Sequence, residues 1–114
     1  MATNRWIVRE TAEAYSASGK AVVIPFWEPL ACGDGDHGGK WETSIYMAVA
    51  PGAARLDAVR EDRTGEPGIY RGQNVPEHSS VEFGEKALAQ VEAYLAEAIG
   101  RERTGHQVVE SSGR

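Results

Sequence analysis

A segment rich in groups that exchange protons covers residues 33–44 and reads Gly-Asp-Gly-Asp-His-Gly-Gly-Lys-Trp-Glu-Thr-Ser. It places two aspartates, one histidine and one glutamate on a glycine-rich loop that leads toward a helix. An imidazole can take up or release a proton near neutral pH, and the dipole of a helix favours a carboxylate in its first turn. His37 and Glu42 are therefore candidates for relaying a proton during hydrolysis.

A simpler interpretation of the same residues stays open. Asp34 and Asp36 are typical turn-forming residues. Glu42 is an acid of the kind common in a first helical turn, and His37 can be a solvated loop residue. The residue types alone do not name a reaction.

A calcium-binding loop of the EF-hand type is excluded by its spacing. Asp34-Gly35-Asp36 reproduces the opening of such a loop. The fifth and twelfth positions fall on Gly38 and Ile45, where the EF-hand needs an oxygen ligand and a bidentate glutamate.

Composition narrows the possible partners. The chain has 114 residues, with 12 Lys and Arg against 17 Asp and Glu and a net charge of -5. No basic cluster is dense enough to neutralise a phosphate backbone, so no nucleic acid partner is expected. Cys32 is the one cysteine and matches no zinc or redox spacing. Without a membrane-length apolar run or a signal peptide, a soluble cytoplasmic protein is expected.

The first half of the chain predicts a helix followed by a strand. Asn4 can cap a helix to about Ser18, and Gly19 then offers a left-handed stop. The run from Ala21 to Phe26 is short, apolar and β-branched, which is typical of a strand buried in a parallel sheet. Residues 28–40 then form the loop beyond the strand, where α/β folds bind ligands.

The second half predicts two further helices. One covers about Trp41 to Val49, and residues 57–77 are largely irregular. Ser79 or Ser80 caps the longest helix, and Ser79 with Glu82 has the spacing of a capping box. Its apolar stripe consists of Ala87, Leu88, Val91, Leu95, Ala98 and Ile99. The polar tail, residues 101–114, is expected to be disordered.

Other aromatic and histidine residues are weaker site candidates. His78 and His106 are expected at the surface or in the tail. Trp27 and Trp41 flank the loop and can line a pocket or belong to the core. Trp6 is most simply a packing residue.

The chain resembles the creatininase (creatinine amidohydrolase) family over about residues 4–99. Gly-Asp-His-Gly-Gly-Lys-Trp-Glu-Thr-Ser at residues 35–44, continuing to Pro51, is similar to that family's His-x-x-x-x-Glu-Thr-Ser segment and the helix and turn behind it. A looser similarity lies in Gly-Ile-Tyr at residues 68–70 and Glu-Phe-Gly-Glu-Lys-Ala-Leu at residues 82–88, like the family's closing loop and last helix.

The resemblance implies roles for individual residues. His37 would contact substrate and carry a proton, and Glu42 would act on a metal-bound water as catalytic base. Asp34 and Trp41 would contact substrate. Asp36 and, through the water, Glu42 are the residues nearest to a metal role. Creatinine-hydrolysing members have a tryptophan where this chain has Gly33, which argues against creatinine itself as substrate.

The resemblance also implies a fold and a cofactor. The expected fold is part of a three-layer α/β/α creatininase-like domain truncated at its N-terminus, with residues 1–100 as its C-terminal portion. The expected cofactor is a divalent metal, Zn or Mn, whose ligands would lie mostly in the family's N-terminal half. The expected partners are a small-molecule substrate and either further copies of the chain or a complementing N-terminal half.

Three functions follow as alternatives. The first is a metal-dependent amidohydrolase acting on a cyclic amide or related small polar ring, incomplete alone. The second is a non-catalytic remnant or assembly subunit. The third is a hydrolase of the same family that opens a keto-inositol ring.

Overall fold

The fold is mostly helical in a computed structural model that describes residues 3–33, 36–61, 69–70 and 73–112. Six helices contain most of these residues. The strands of the described part are a single two-residue antiparallel pair. The expected three-layer α/β/α fold is therefore wrong, because the described residues contain no parallel sheet on which helices could form layers.

The elements are as follows. The helices are α1 Thr3–Ala17, α2 Pro29–Cys32, α3 Lys40–Val49, α4 Leu56–Glu61, α5 Val75–His78 and α6 Val81–Ser112, and the strands are β1 Ile69–Tyr70 and β2 Gln73–Asn74. Three of the predicted helices are confirmed. The irregular stretch predicted for residues 57–77 contains α4, the strand pair and part of α5. The longest helix continues beyond its predicted end near residue 100, since α6 reaches Ser112.

The predicted strand at residues 21–26 is absent, and residues 21–27 form neither helix nor strand. Gly19 has a positive φ of 76° and turns the chain after α1. The Val23 N–H then donates to Ser16 Oγ at 2.8 Å. A β-branched run forms a strand only where neighbouring strands pair with its backbone. Here the backbone bonds to a serine side chain of α1 instead.

The best-packed region is the crossing of α3 and α6. Gly84 of α6 lies so close to Ser44 of α3 that a Cβ on Gly84 would overlap the Ser44 carbonyl group. Ser44 and Ala87 are completely buried. The Trp41 ring packs on Phe83 with centroids 4.6 Å apart. Small residues thus let the two helix backbones touch, while aromatic rings fill the edge of the contact.

The N-terminal cap of α6 joins the same crossing. Ser80 Oγ accepts a hydrogen bond from the Phe83 N–H at 3.0 Å, which identifies Ser80 rather than Ser79 as the cap. The Ser80 N–H donates to Ser44 Oγ at 3.1 Å. One buried serine of α3 therefore fixes where α6 begins.

The remainder of the chain lies along α6 and is less compact. Residue Cys32 of α2 is buried against this helix, and the Phe26 ring lies 5.8 Å from that of Tyr94. The radius of gyration is 18.7 Å and the extents are 67 × 28 × 21 Å, whereas a compact chain of 100 residues would have a radius of about 13 Å. An elongated molecule leaves much of α1 in contact with solvent.

No helix in the described ranges is long and apolar enough to cross a membrane.

Candidate functional site

Asp36 caps the N-terminus of α3. Its carboxylate accepts the Trp41 N–H at 2.7 Å and the Glu42 N–H at 3.0 Å. The first amides of a helix have no partner within the helix, and a carboxylate there is stabilised by the helix dipole. The N-cap position itself is Gly39, which has no side chain to accept these bonds. Asp36 acts as the cap from three residues upstream.

Gly39 is required by this arrangement. A Cβ on Gly39 would overlap the Asp36 carboxylate. The residue is buried despite its place in a loop. Its neighbour Gly38 has a φ of 65°, in the left-handed region. The two glycines therefore let the loop turn tightly over the capping carboxylate.

Glu42 and His37 lie together on the solvent side of this loop. Glu42 Oε2 accepts the Gly38 N–H at 2.6 Å. His37 Nδ1 lies 3.9 Å from the same oxygen, and the two side chains are 70% and 44% exposed. That distance is too long for a hydrogen bond, so the attraction depends on a protonated imidazole. A carboxylate has about four acceptor sites, so Glu42 can still accept from a bound molecule.

Glu28, which no sequence motif singles out, also belongs to this site. It directly precedes α2, and its Oε1 is buried without a hydrogen-bond partner in the described part of the chain. Burial, together with the negative charges of Asp36 and Glu42, raises the pKa of Glu28 from 4.5 to about 7. In the sequence, the indication that Glu28 could be buried is its position at the end of an apolar run. We name Glu28, Asp36, His37 and Glu42 the loop cluster.

Two residues of the motif that carries the resemblance are structural in part. Ser44 of the Glu-Thr-Ser motif is inside the helix crossing. Trp41, a predicted substrate contact, is half-buried with its ring against Phe83. Lys40 Nζ lies 5.5 Å from the centroid of the same Phe83 ring. These contacts hold the helix that carries Glu42.

The remaining candidates are dispersed. Asp34 lies outside the described residues, as does the side chain of His106. His78 is exposed at the end of α5. The ring of Trp27 lies under the guanidinium of Arg9, 5.5 Å from its centroid. Trp6 is 52% exposed, so the expectation that it packs in the interior is wrong.

The described residues do not fit the Zn or Mn centre implied by the resemblance. Among them, no group of three His, Cys, Asp or Glu side chains could hold a metal ion. Both Asp36 carboxylate oxygens accept backbone N–H groups of α3. Glu42 is likewise bonded to the loop backbone. The cluster is arranged to order a loop and to hold protons.

Comparison of the chain with protein-family models, with curated proteins and with solved structures gives no match.

Proposed function

We propose that this chain supplies the proton-transfer loop of a creatininase-like hydrolase that opens a cyclic amide or related small polar ring. The observation that carries the proposal is Glu28, a carboxyl group with a pKa of about 7 beside Glu42 and Asp36. A group with its pKa near the working pH is the most effective proton donor and acceptor. The resemblance at residues 35–44 supplies the reaction class.

Each residue of the cluster has a separate task in this proposal. Hydrolysis adds water oxygen to a carbonyl carbon, breaks the carbon–nitrogen bond and delivers a proton to the nitrogen. Glu28 exchanges that proton, because both of its protonation states are populated near pH 7. Glu42 accepts a proton from the attacking water, and His37 contacts the substrate from the exposed side of the loop. Asp36 positions Glu42 by fixing the first turn of α3.

A second polypeptide is part of the proposal. A divalent ion, Zn or Mn, held by that polypeptide would supply an activated water of lowered pKa. The loop cluster would meet it from the solvent side, where His37 and Glu42 are exposed. The assembly is proposed to be cytoplasmic.

The isolated chain provides the first test. Titration with Zn and with Mn is expected to show only weak binding. Assays on creatinine and on formamides are expected to stay at background with metal present. Stoichiometric tight binding together with turnover would contradict the need for a second polypeptide.

The assembled form provides the second test. The chain is purified together with the polypeptide that copurifies from its native source, and the complex is assayed on cyclic amides and on a keto-inositol. Glu42→Gln and His37→Ala are each expected to abolish turnover while leaving the helical circular dichroism unchanged. Asp57→Asn, on the exposed α4, is the control and is expected to keep the wild-type rate. A wild-type rate in the Glu42 variant would contradict the role of Glu42 as acceptor of the proton from water.

An assembly subunit without catalysis is the second candidate function. The observation that favours it is the apolar face formed by α1 and residues 23–26, on which Ile7, Tyr15 and Val23 are 46%, 51% and 39% exposed. Adjacent exposed apolar side chains are typical of interaction surfaces. Sedimentation is expected to show a homo-oligomer or a complex with the second polypeptide. A stable compact monomer that neither associates nor catalyses would contradict both candidates.

A further inference from the structure

A cleft lies between α1, residues 24–30 and the middle of α6. Its volume is about 210 Å³, and its lining includes Arg9, Trp27, Leu30, Tyr94, Arg101 and Glu102. Aromatic and aliphatic side chains form its walls, and the charged groups are all at the ends of long side chains. Small-molecule sites usually combine apolar walls with a few polar groups that orient the ligand.

This cleft is separate from the loop cluster. The aromatic contact next to the loop involves Phe83, whereas the cleft uses residues 94–102 of the same helix. At 1.5 Å per residue, Phe83 and Ala98 are about 22 Å apart along α6. Trp27 and Leu30 of the lining lie on either side of Glu28 in the chain, but none of the four cluster residues lines the cleft.

Arg9 and Arg101 are positioned by neighbouring side chains and can donate hydrogen bonds to an anion. The Arg9 guanidinium lies over the Trp27 ring at 5.5 Å, which restricts its plane. Arg101 Nη1 lies 3.3 Å from Glu97 Oε1, one turn earlier on α6. A guanidinium has five N–H donors, so this single contact leaves Arg101 able to bind further acceptors. Neighbouring side chains thus hold both guanidinium groups and leave N–H donors available to a ligand.

The guanidinium groups of the lining favour a carboxylate over a more highly charged anion. Two of them line the cleft with one carboxylate, that of Glu102, and a second carboxylate, that of Glu97, lies 3.3 Å from Arg101. A planar carboxylate matches a guanidinium in a bidentate pair. A phosphate dianion would bring excess charge close to Glu102. The volume is below that of drug-sized pockets, so the ligand must be small.

We propose that this cleft binds a small organic monocarboxylate with a flat apolar body. The carboxylate pairs with Arg9 and Arg101 at the rim. The apolar body lies against Leu30 and Tyr94. The proposal does not depend on the hydrolase function, because none of its residues belongs to the loop cluster.

The test uses benzoate as the probe with the full chain, followed by NMR chemical shifts and calorimetry. Saturable binding is expected, with shifts at the Trp27 indole N–H. Benzamide, which has the same shape without the charge, is expected to bind at least about tenfold more weakly, as is inorganic phosphate, which has charge without the apolar body. Equal binding of either compound would overturn the proposal, as would the absence of saturation with benzoate.

Charge-removing variants complete the test. Arg9→Gln and Arg101→Gln are each expected to weaken benzoate binding about tenfold or more. Arg103→Gln is the matched control on the same helix, with the same change in net charge and no place in the lining. Circular dichroism verifies that each variant folds. Wild-type affinity in both Arg9→Gln and Arg101→Gln, or an equal loss in Arg103→Gln, would contradict the assigned site.

Discussion

The N-terminal end of α6 and its middle make contacts of different kinds. At its N-terminal end, α6 touches α3 backbone to backbone, through Gly84 and the buried Ser44. Further along, α6 contacts the rest of the chain through side chains such as Tyr94, which packs against Phe26. A cleft lies next to Tyr94. Close backbone contact excludes water and leaves little freedom to rearrange. The open region retains the space and exposed apolar surface that binding requires.

This difference changes how the Glu-Thr-Ser motif is understood. Its glutamate accepts a hydrogen bond from the Gly38 N–H of the loop. Its serine accepts a hydrogen bond from the Ser80 N–H at the helix crossing. The motif thus connects the loop cluster to the best-packed part of the molecule. Substitutions at the crossing should therefore lower stability strongly. Changes to Glu28, His37 or Glu42, which do not cap α3, should affect proton exchange more than folding.

The largest effect is expected from Gly84→Ala. The added Cβ would overlap the Ser44 carbonyl group, so α3 and α6 must separate. We expect the free energy of unfolding to fall by about 3 kcal/mol, as in overpacked cores. The matched control is Gly100→Ala on the same helix, where a Cβ meets nothing within 4 Å. That change should stabilise by up to about 1 kcal/mol. Equal effects in urea unfolding would refute the close crossing.

Gly39→Ala is expected to cost about 2 kcal/mol, because its Cβ would displace the capping Asp36 carboxylate. Asp36→Ala alone removes the cap at a cost of about 1 kcal/mol. In the Asp36→Ala background only the Cβ of residue 36, 2.9 Å from the added Cβ, remains in the way, so Gly39→Ala should cost less than it does in the wild type. A double-mutant cycle of urea unfolding measures this coupling. Additive costs would show that the two residues do not share the space.

Ser44→Ala tests the link between the motif and α6. The change leaves the Ser80 N–H without its acceptor at a partly buried position, and we expect a loss of about 1–2 kcal/mol in unfolding free energy. Thr43→Ala, in the adjacent half-buried position, is the control and should cost less than about 0.5 kcal/mol. The opposite order of effects in thermal or urea unfolding would contradict the structural role of Ser44.

Glu28→Gln should produce the smallest stability effect and a specific pH dependence. In the wild type the folded pKa of Glu28 is about 7, against an ordinary value of 4.5. Between these values the folded state holds a proton that the unfolded state has lost, so stability falls as pH rises. Below pH 4.5 that penalty is absent. The variant should lack this fall and be more stable at pH 8 by about 1 kcal/mol, since water screens a partly exposed carboxyl. Parallel pH profiles in unfolding experiments would contradict it.

The sequence predicted helices well and the strand badly, for one physical reason. The apolar stripe and the serine cap of α6 are local features that fix a helix without help from distant residues. Residues 21–26 had strand propensity, but a strand needs partners that only the tertiary structure supplies. The continuation of α6 beyond residue 100 was missed because its polar composition suits an exposed helix as well as a tail.

The candidate site was predictable only in part. The composition of residues 33–44 located the loop, and the capping of α3 uses the acids expected there. Glu28 lies eight residues before Asp36, and its altered pKa arises from burial, which no local pattern records. The structural use of Ser44 was hidden for the same reason, since it depends on Gly84, which is 40 residues away in the chain.

Direct titration of the Glu28 side chain tests the central claim most directly. Carbon-detected NMR of the full chain, labelled on its glutamate carboxyl carbons and assigned with Glu28→Gln, follows this group through pH 3 to 9. The account predicts a midpoint near pH 7 that decreases in Glu42→Gln, because one neighbouring negative charge is lost. A midpoint near the ordinary value of 4.5, unchanged in that variant, would contradict a carboxyl poised for proton transfer.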